Sequence, residues 1–196
     1  MQKFKKPLRN NKLIRCFIAI ALPQEIKIGL EQYIRSLRKI SPDIRWVRAE
    51  NIHITLKFLG EIEQDLLDKV EFSLKSISEV FQPFYIYLKG SGSFPNEKRP
   101  RIIWVGIEAL QNNLLLKIYN WIENRLETLG IKKEQRKYTP HLTIGRIKFP
   151  QNMNKLFQYM KQYPFQGEQF GVKEILLMQS LLKPSGVEYK VIDKYS

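Results

Sequence analysis

The two histidines of this chain stand in the same short pattern. His53 is followed two residues later by Thr55, and His141 is followed two residues later by Thr143. The 196-residue chain has only two histidines and four threonines, so random placement would rarely produce this arrangement twice. In a β-strand, residues two apart point to the same side. Each pattern therefore predicts an imidazole beside a hydroxyl, with the apolar residue between them facing the core.

Two imidazoles suit acid–base chemistry on a phosphodiester. With an unperturbed pKa of about 6.5, one can accept a proton while the other, in its charged form, gives one to the departing oxygen. The threonine hydroxyls can donate hydrogen bonds to the non-bridging phosphate oxygens, where negative charge accumulates. Two histidines and one distant cysteine, Cys16, make a poor zinc or magnesium site, so we expect no metal. A lone histidine is more often a partly buried structural residue, but the duplication disfavours that interpretation.

Strands must hold both patterns, and helices must pack against those strands. Alternating apolar residues predict a strand from Leu13 and another that contains His53 and ends at Gly60. Helices are predicted over 24–40, 64–81, 110–129 and 153–163, and further strands over 84–88, 101–107, 142–147, 171–177 and 187–192, with a Gly- and Pro-containing loop between 88 and 101. Short turns between neighbouring strands favour an antiparallel α+β sandwich over a doubly wound parallel sheet. The two patterns lie 88 residues apart, which suggests two related lobes.

The charge balance points to an anionic partner. The chain has 33 Lys and Arg against 19 Asp and Glu, a formal net charge of +14. Nucleic acid is the commonest partner of such a surface. An alternative is that the lysine content reflects the residue usage of an AT-rich genome.

Composition also limits the domain organisation and the compartment. A hydrophobic share of 43% excludes intrinsic disorder, and no apolar run approaches the roughly 20 residues of a membrane-spanning helix. Residues 1–12 hold five basic residues and no acid, so we expect a flexible basic tail followed by one bilobal domain over 13–196. Cys16 has no second cysteine to pair with, and no secretory signal is recognised, so a cytoplasmic location is expected.

Several segments outside the two patterns are also distinctive. They are Arg15–Ile20, Trp46, the continuation of the first pattern to Gly60, Phe94-Pro95, Pro100-Arg101, Trp104–Gly106, Tyr138–Arg146, and Ser180, Leu181, Gly186 and Tyr189. Together they resemble the two-histidine phosphoesterases, specifically the LigT-like RNA 2',3'-cyclic phosphodiesterases, over nearly the whole chain. The resemblance implies an α+β, bilobal fold in which two antiparallel sheets with outer helices form a V-shaped central groove with one His-x-Thr on each wall.

The resemblance also implies an activity. It is hydrolysis of a terminal RNA 2',3'-cyclic phosphate to a 2'-phosphate without metal or cofactor, with 2'-5' ligation as the reverse reaction. His53 would be the general acid toward O3' and His141 the general base toward water, although these two roles can be exchanged. The implied substrates are RNA ends or nucleotide 2',3'-cyclic phosphates, and no obligate protein partner is expected.

Three further residues are candidates for binding substrate. Arg146 matches an arginine that contacts phosphate or base in relatives, and Phe58 matches an aromatic residue that can stack on the base. Both lie five positions after a histidine, so in a regular strand they would point away from the groove, and their roles require a bulge or a strand end. Core packing is the alternative for Phe58. Lys57 has the parity of His53 and is a candidate phosphate contact.

Other functions use the same residues. Within the superfamily the alternatives are an RNA 3'-exonuclease and a 2'-5' oligonucleotide phosphodiesterase, and outside catalysis a non-catalytic RNA-binding module. The sequence alone does not separate the cyclic phosphodiesterase from these three alternatives.

Overall fold

The computed structural model describes residues 13–109, 113–184 and 186–196. The predicted basic tail over 1–12 lies outside these ranges. The strands are β1 (Ile14–Ala21), β2 (Arg45–Trp46), β3 (His53–Ile62), β4 (Phe84–Phe94), β5 (Ile102–Ala109), β6 (His141–Arg146), β7 (Gln166–Val172), β8 (Ile175–Lys183) and β9 (Gly186–Tyr195). The helices are α1 (Gln24–Ile40), α2 (Gln64–Leu74), α3 (Leu114–Glu127) and α4 (Asn154–Gln162), with short 3₁₀ segments at Ala49–Asn51 and Lys75–Glu79.

The described strands form one curled antiparallel sheet. Their order is β7-β4-β5-β6-β3-β1-β8-β9, and β2 pairs with β6. The two halves meet where β3 and β6 share a single residue pair, Ile54 with Leu142. The predicted α+β antiparallel class is confirmed, and the two predicted sheets are the two halves of this continuous sheet.

The helices form because their apolar residues return every three or four positions. In α1 the buried residues are Ile26, Leu30, Ile34 and Leu37, and in α3 they include Leu115, Ile118, Ile122 and Leu126. These stripes pack on the sheet in one core that also contains Ile54 and Leu142, both 0% exposed. Among the described residues, no helix has the length and apolar character that crossing a bilayer requires.

Two predicted strand boundaries were wrong. Strand β4 continues to Phe94 through residues that the glycines marked as a loop, because Gly90 takes a φ of 74° at an irregularity between Leu88 and Ser91. Gly92 lies against the indole of Trp104, where a Cβ would come within 2.5 Å. The predicted strand over 171–177 is the end of β7 and the start of β8, separated by residues 173–174, which belong to neither strand.

Candidate active site

Adjacent strands bring the two His-x-Thr patterns together. Because Ile54 pairs with Leu142 in antiparallel register, His53 lies across from Thr143, and Thr55 lies across from His141. All four point away from the buried pair, to a side of β3 and β6 that we call the histidine face. The two histidines are diagonal neighbours, and such Cβ atoms are about 7–8 Å apart in a regular ladder. Two imidazoles at that spacing can reach one phosphorus atom from opposite sides.

One further hydrogen bond links the two halves at this point. The Tyr138 hydroxyl donates to the Thr55 carbonyl at 3.2 Å, and the Tyr138 ring stacks on Tyr119 with centroids 3.9 Å apart. Tyr138 precedes β6, whereas Thr55 belongs to β3. This contact therefore adds to the one ladder pair that joins β3 and β6.

A β-bulge follows each pattern at the same position. Across from β3, Ile18 pairs with Lys57 and Ala19 with Thr55, so Leu56 is the extra residue. Across from β6, Ile103 pairs with Gly145 and Trp104 with Thr143, so Ile144 is the extra residue. Each extra residue lies three positions after its histidine, and it reverses the parity of the residues that directly follow it.

The bulges return Phe58 and Arg146 to the histidine face. Leu56 and Lys57 are both buried, and so are Ile144 and Gly145, after which Phe58 and Arg146 are exposed. Phe58 is 67% exposed, which contradicts the core-packing alternative. The bulge that both substrate-binding roles required is therefore present in each half.

Lys57 does not lie on the histidine face, and that prediction was wrong. Its Nζ donates to Glu123 Oε2 and to the Lys132 carbonyl, both at 2.7 Å, and the residue is only 6% exposed. Counting in twos from His53 assumed a regular strand, but the bulge at Leu56 turns Lys57 to the core. There its ammonium forms a buried ion pair with the Glu123 carboxylate of α3.

Backbone carbonyls orient both imidazoles in the same way. The His53 Nδ1–H donates to the Asn51 carbonyl at 2.9 Å, and the His141 Nδ1–H donates to the Thr139 carbonyl at 2.7 Å. A carbonyl only accepts, so the proton of each neutral ring resides on Nδ1 and Nε2 has the free lone pair. The Asn51 side chain donates to the Val187 carbonyl at 3.1 Å, which ties this segment to β9. Each Nε2 is thus the atom that can exchange a proton with substrate.

Aromatic rings hold the histidines from the sides. His53 stacks on Phe17 with centroids 4.7 Å apart and meets the Tyr189 ring edge-on at 5.1 Å. His141 meets Phe94 edge-on at 4.9 Å. Sequence reasoning included these three aromatic residues only as parts of the family resemblance, without a role. Their contacts come from strands remote in sequence, so no local signal could have revealed them.

Burial and nearby cations lower the pKa of both histidines and so favour the neutral form of each ring. Burial lowers the pKa of His53 to about 4; the hydrogen bond with Asn51 opposes this shift, and the charges of Arg146 and Lys27 add to it. Burial likewise lowers the pKa of His141, the hydrogen bond with Thr139 opposes it, and Arg146 adds to it. Arg146 therefore acts on both rings. Sequence reasoning missed Lys27, because it lies on α1, outside both His-x-Thr segments.

An anion bound between the rings would reverse this shift. A phosphate oxygen beside an imidazole favours the charged form of that imidazole, so substrate itself can supply the conditions for a general acid. In the part of the chain that the structure describes, no three His, Cys, Asp or Glu residues cluster as metal ligands do.

Comparison with known families assigns the chain to one of them. The profile of the family described as "LigT like Phosphoesterase" matches residues 20–104 and, a second time, residues 105–189. The first match contains His53 and the second contains His141. The chain belongs to the LigT-like phosphoesterase family. The double match agrees with the two related lobes that the spacing of the patterns suggested.

Similar proteins cover the LigT-like chain almost completely. A Methanocaldococcus jannaschii protein named RNA 2',3'-cyclic phosphodiesterase is 38% identical over 183 residues, which is 93% of this chain and 100% of that protein. A Thermotoga maritima protein of the same name is 33% identical over 180 residues, with 91% and 93% covered.

Solved structures agree with the fold. The protein TT0787 of Thermus thermophilus has a TM-score of 0.79 at 27% identity and covers 93% of this chain and 97% of its own. Escherichia coli LigT, solved in complex with 3'-AMP, has a TM-score of 0.74 at 22% identity over the same shares of the two chains and shows the fold alone.

Proposed function

We propose that this LigT-like phosphoesterase hydrolyses the terminal 2',3'-cyclic phosphate of RNA to a 2'-phosphate. The observation that supports this most is the placement of two imidazoles on one face, each with Nδ1 held by a carbonyl and Nε2 free. A hydroxyl lies across the strands from each imidazole. Relatives named for this activity, at 38% and 33% identity, make it the first choice among phosphodiester reactions.

The reaction needs two proton transfers. His141 Nε2 accepts a proton from water, whose oxygen attacks phosphorus, and the bond between phosphorus and O3' breaks as His53 Nε2–H gives its proton to O3'. The hydroxyls of Thr55 and Thr143 donate to the non-bridging oxygens, on which charge increases. Arg146 adds a positive charge beside both rings, and Phe58 offers an exposed ring on which the base can stack.

The low pKa of His53 shapes its role as the acid. An imidazolium whose pKa is about 4 is a strong acid, but it is charged only when an anion lies beside it. The substrate phosphate provides that anion, so the acid becomes competent when substrate binds. Afterwards His53 is neutral and His141 is charged, and exchange with water resets both.

A change of leaving group separates the two roles. A p-nitrophenyl phosphodiester releases a phenolate that needs no proton, so loss of the acid costs little on this substrate and loss of the base costs as much as on RNA. We expect His53→Ala to lose about 10²- to 10⁴-fold on the cyclic phosphate and much less on the p-nitrophenyl ester. His141→Ala should lose both activities. The opposite pattern would exchange the two assignments.

The activity itself is tested on RNA ends. In EDTA, the protein should convert an oligonucleotide with a 2',3'-cyclic end to the 2'-phosphate and leave the same oligonucleotide with a 3'-hydroxyl intact. Shortening of the 3'-hydroxyl strand would identify an exonuclease instead. Binding without turnover, unchanged by either alanine variant, would identify an RNA-binding module. Ligation uses the same two transfers in reverse and is measured with 2'-5' joined products.

A further inference from the structure

Arg45 lies beside the site and has no role in the reaction described above. It is one of the two residues of β2, where Arg45 pairs with Arg146 and Trp46 pairs with Gly145. Directly opposed residues of an antiparallel pair share a face. Trp46 is 9% exposed and packs into the core, whereas Arg45 is exposed. Arg45 and Arg146 therefore stand together on the histidine face.

This arrangement opposes two positive charges. Cβ atoms of directly opposed residues are about 4.5–5.5 Å apart, and like charges at this spacing destabilise a sheet. Within the described ranges, neither arginine has a carboxylate partner at ion-pair distance, so no nearby acid offsets this repulsion, in contrast to the pair of Lys133 with Glu127. Two unpaired guanidinium groups side by side fit an anion bound between them.

The anion that this pair fits is not the reacting phosphate alone. From Thr143 to Arg146 the partner strand advances from Trp104 to Ile102, two residues or about 7 Å. Arg45 lies directly across from Arg146, on the edge of β6 that also pairs with β3, so it is displaced along the strands by about the same distance. Arg146 and Arg45 thus lie side by side beyond the histidines, and together they reach a second position outside the reacting centre.

Further positive charge lies on the other side of β6. Arg101, next to the residue that pairs with Arg146, donates from Nη1 to the Lys148 carbonyl at 3.0 Å. Lys148 Nζ lies 5.2 Å from the centroid of the Phe149 ring, which is 70% exposed. Cations beside an exposed aromatic ring are what a single strand of nucleic acid contacts. Cations therefore lie on both sides of Arg146 at this end of the sheet.

We infer that Arg45, together with Arg146, binds the phosphate that joins the last two nucleotides of the RNA substrate. Arg45 is then a specificity-determining residue that favours oligonucleotide ends over mononucleotide cyclic phosphates. The inference rests on the proposed function, because it deepens the choice of substrate for the same site.

Three substrates test the inference. They are cytidine 2',3'-cyclic phosphate, the cytidine dinucleotide that ends in the same cyclic phosphate, and that dinucleotide with an uncharged methylphosphonate linkage. The protein should show a kcat/KM about tenfold higher for the phosphate linkage than for the methylphosphonate, the loss expected for one charge-assisted contact. Arg45→Gln should remove most of this ratio. Arg125→Gln, which removes an exposed charge from α3, is the matched control and should keep the ratio.

The ratio distinguishes a phosphate contact from a fold defect, since a fold defect lowers both rates together. Equal ratios in the Arg45→Gln, Arg125→Gln and unaltered proteins would overturn the inference. If no cyclic phosphate is hydrolysed, the proposed function fails, and the Arg45 site is decided by binding. In that case Arg45→Gln must still reduce the preference for a phosphate over a methylphosphonate linkage in dinucleotides that end in a 2'-phosphate.

Discussion

Replacing Lys57 is expected to reduce stability and to leave substrate binding intact. Its ammonium is buried and donates to Glu123 Oε2 and the Lys132 carbonyl at 2.7 Å. In Lys57→Met, the Glu123 carboxylate keeps its hydrogen bond from the Glu134 N–H at 3.1 Å but loses its only cation partner among the described residues. Leaving one member of a buried pair uncompensated costs about 3–5 kcal/mol. For a chain of this size that is a fall in Tm of about 10 °C.

Urea unfolding of four variants measures this cost. Lys57→Met and Glu123→Met should each lose about 3–5 kcal/mol, and the double variant should lose clearly less than their sum, because no buried charge remains. Lys133→Met is the matched control. It breaks a 2.8 Å pair with Glu127 whose side chains are 37% and 58% exposed, and such exposed pairs contribute about 0–1 kcal/mol.

Activity measured well below the unfolding transition completes the test. The Lys57→Met protein should keep its KM for a cyclic phosphate, since Lys57 faces the core. A variant with full stability and a KM raised tenfold would refute the reasoning, because it would place the ammonium on the histidine face. Additive losses in the double variant would refute the claim that the two charges compensate each other.

Three other results are expected. Burial lowers the pKa of His53 to about 4 in the folded protein, whereas the unfolded chain binds this proton already at about pH 6.5. The free energy of unfolding should therefore fall by about 2 kcal/mol between pH 7 and pH 5. Unfolding of His53→Asn should lack that part of the pH dependence. Tyr138→Phe removes the hydrogen bond to the Thr55 carbonyl and should cost about 0.5–1.5 kcal/mol in urea unfolding, whereas no loss would show that the contact adds nothing to the junction. Phe58→Ala should change the free energy of unfolding by less than about 1 kcal/mol, because the ring is 67% exposed. It should weaken oligonucleotide binding about 5- to 100-fold, which is the range for the loss of one stacked base. Unchanged binding would show that Phe58 does not contact the RNA.

Local periodicity correctly predicted the elements that keep one face against the core along their whole length. The helix predicted over 24–40 is α1, with bounds Gln24–Ile40, because one of its faces meets the core along the whole length. The prediction was weaker for β4, where Gly90 and Gly92 signalled a loop. Gly90 lies at the irregularity in the pairing of β4, and Gly92 makes room for the Trp104 ring. Both roles depend on a neighbouring strand, so the local sequence did not reveal them.

By itself, the sequence determined which side chains are the candidates for the chemistry and that each histidine shares a face with its threonine. Both results come from residue types and a two-residue spacing, which are local properties of a strand. Only the tertiary structure decided how the residues after Leu56 and Ile144 are oriented. A bulge depends on the register of the partner strand, so pairing with β1 and β5 turned Phe58 and Arg146 toward the histidines and Lys57 away from them. The shifted pKa of His53 has the same origin, since burial and the charge of Lys27 come from residues far along the chain.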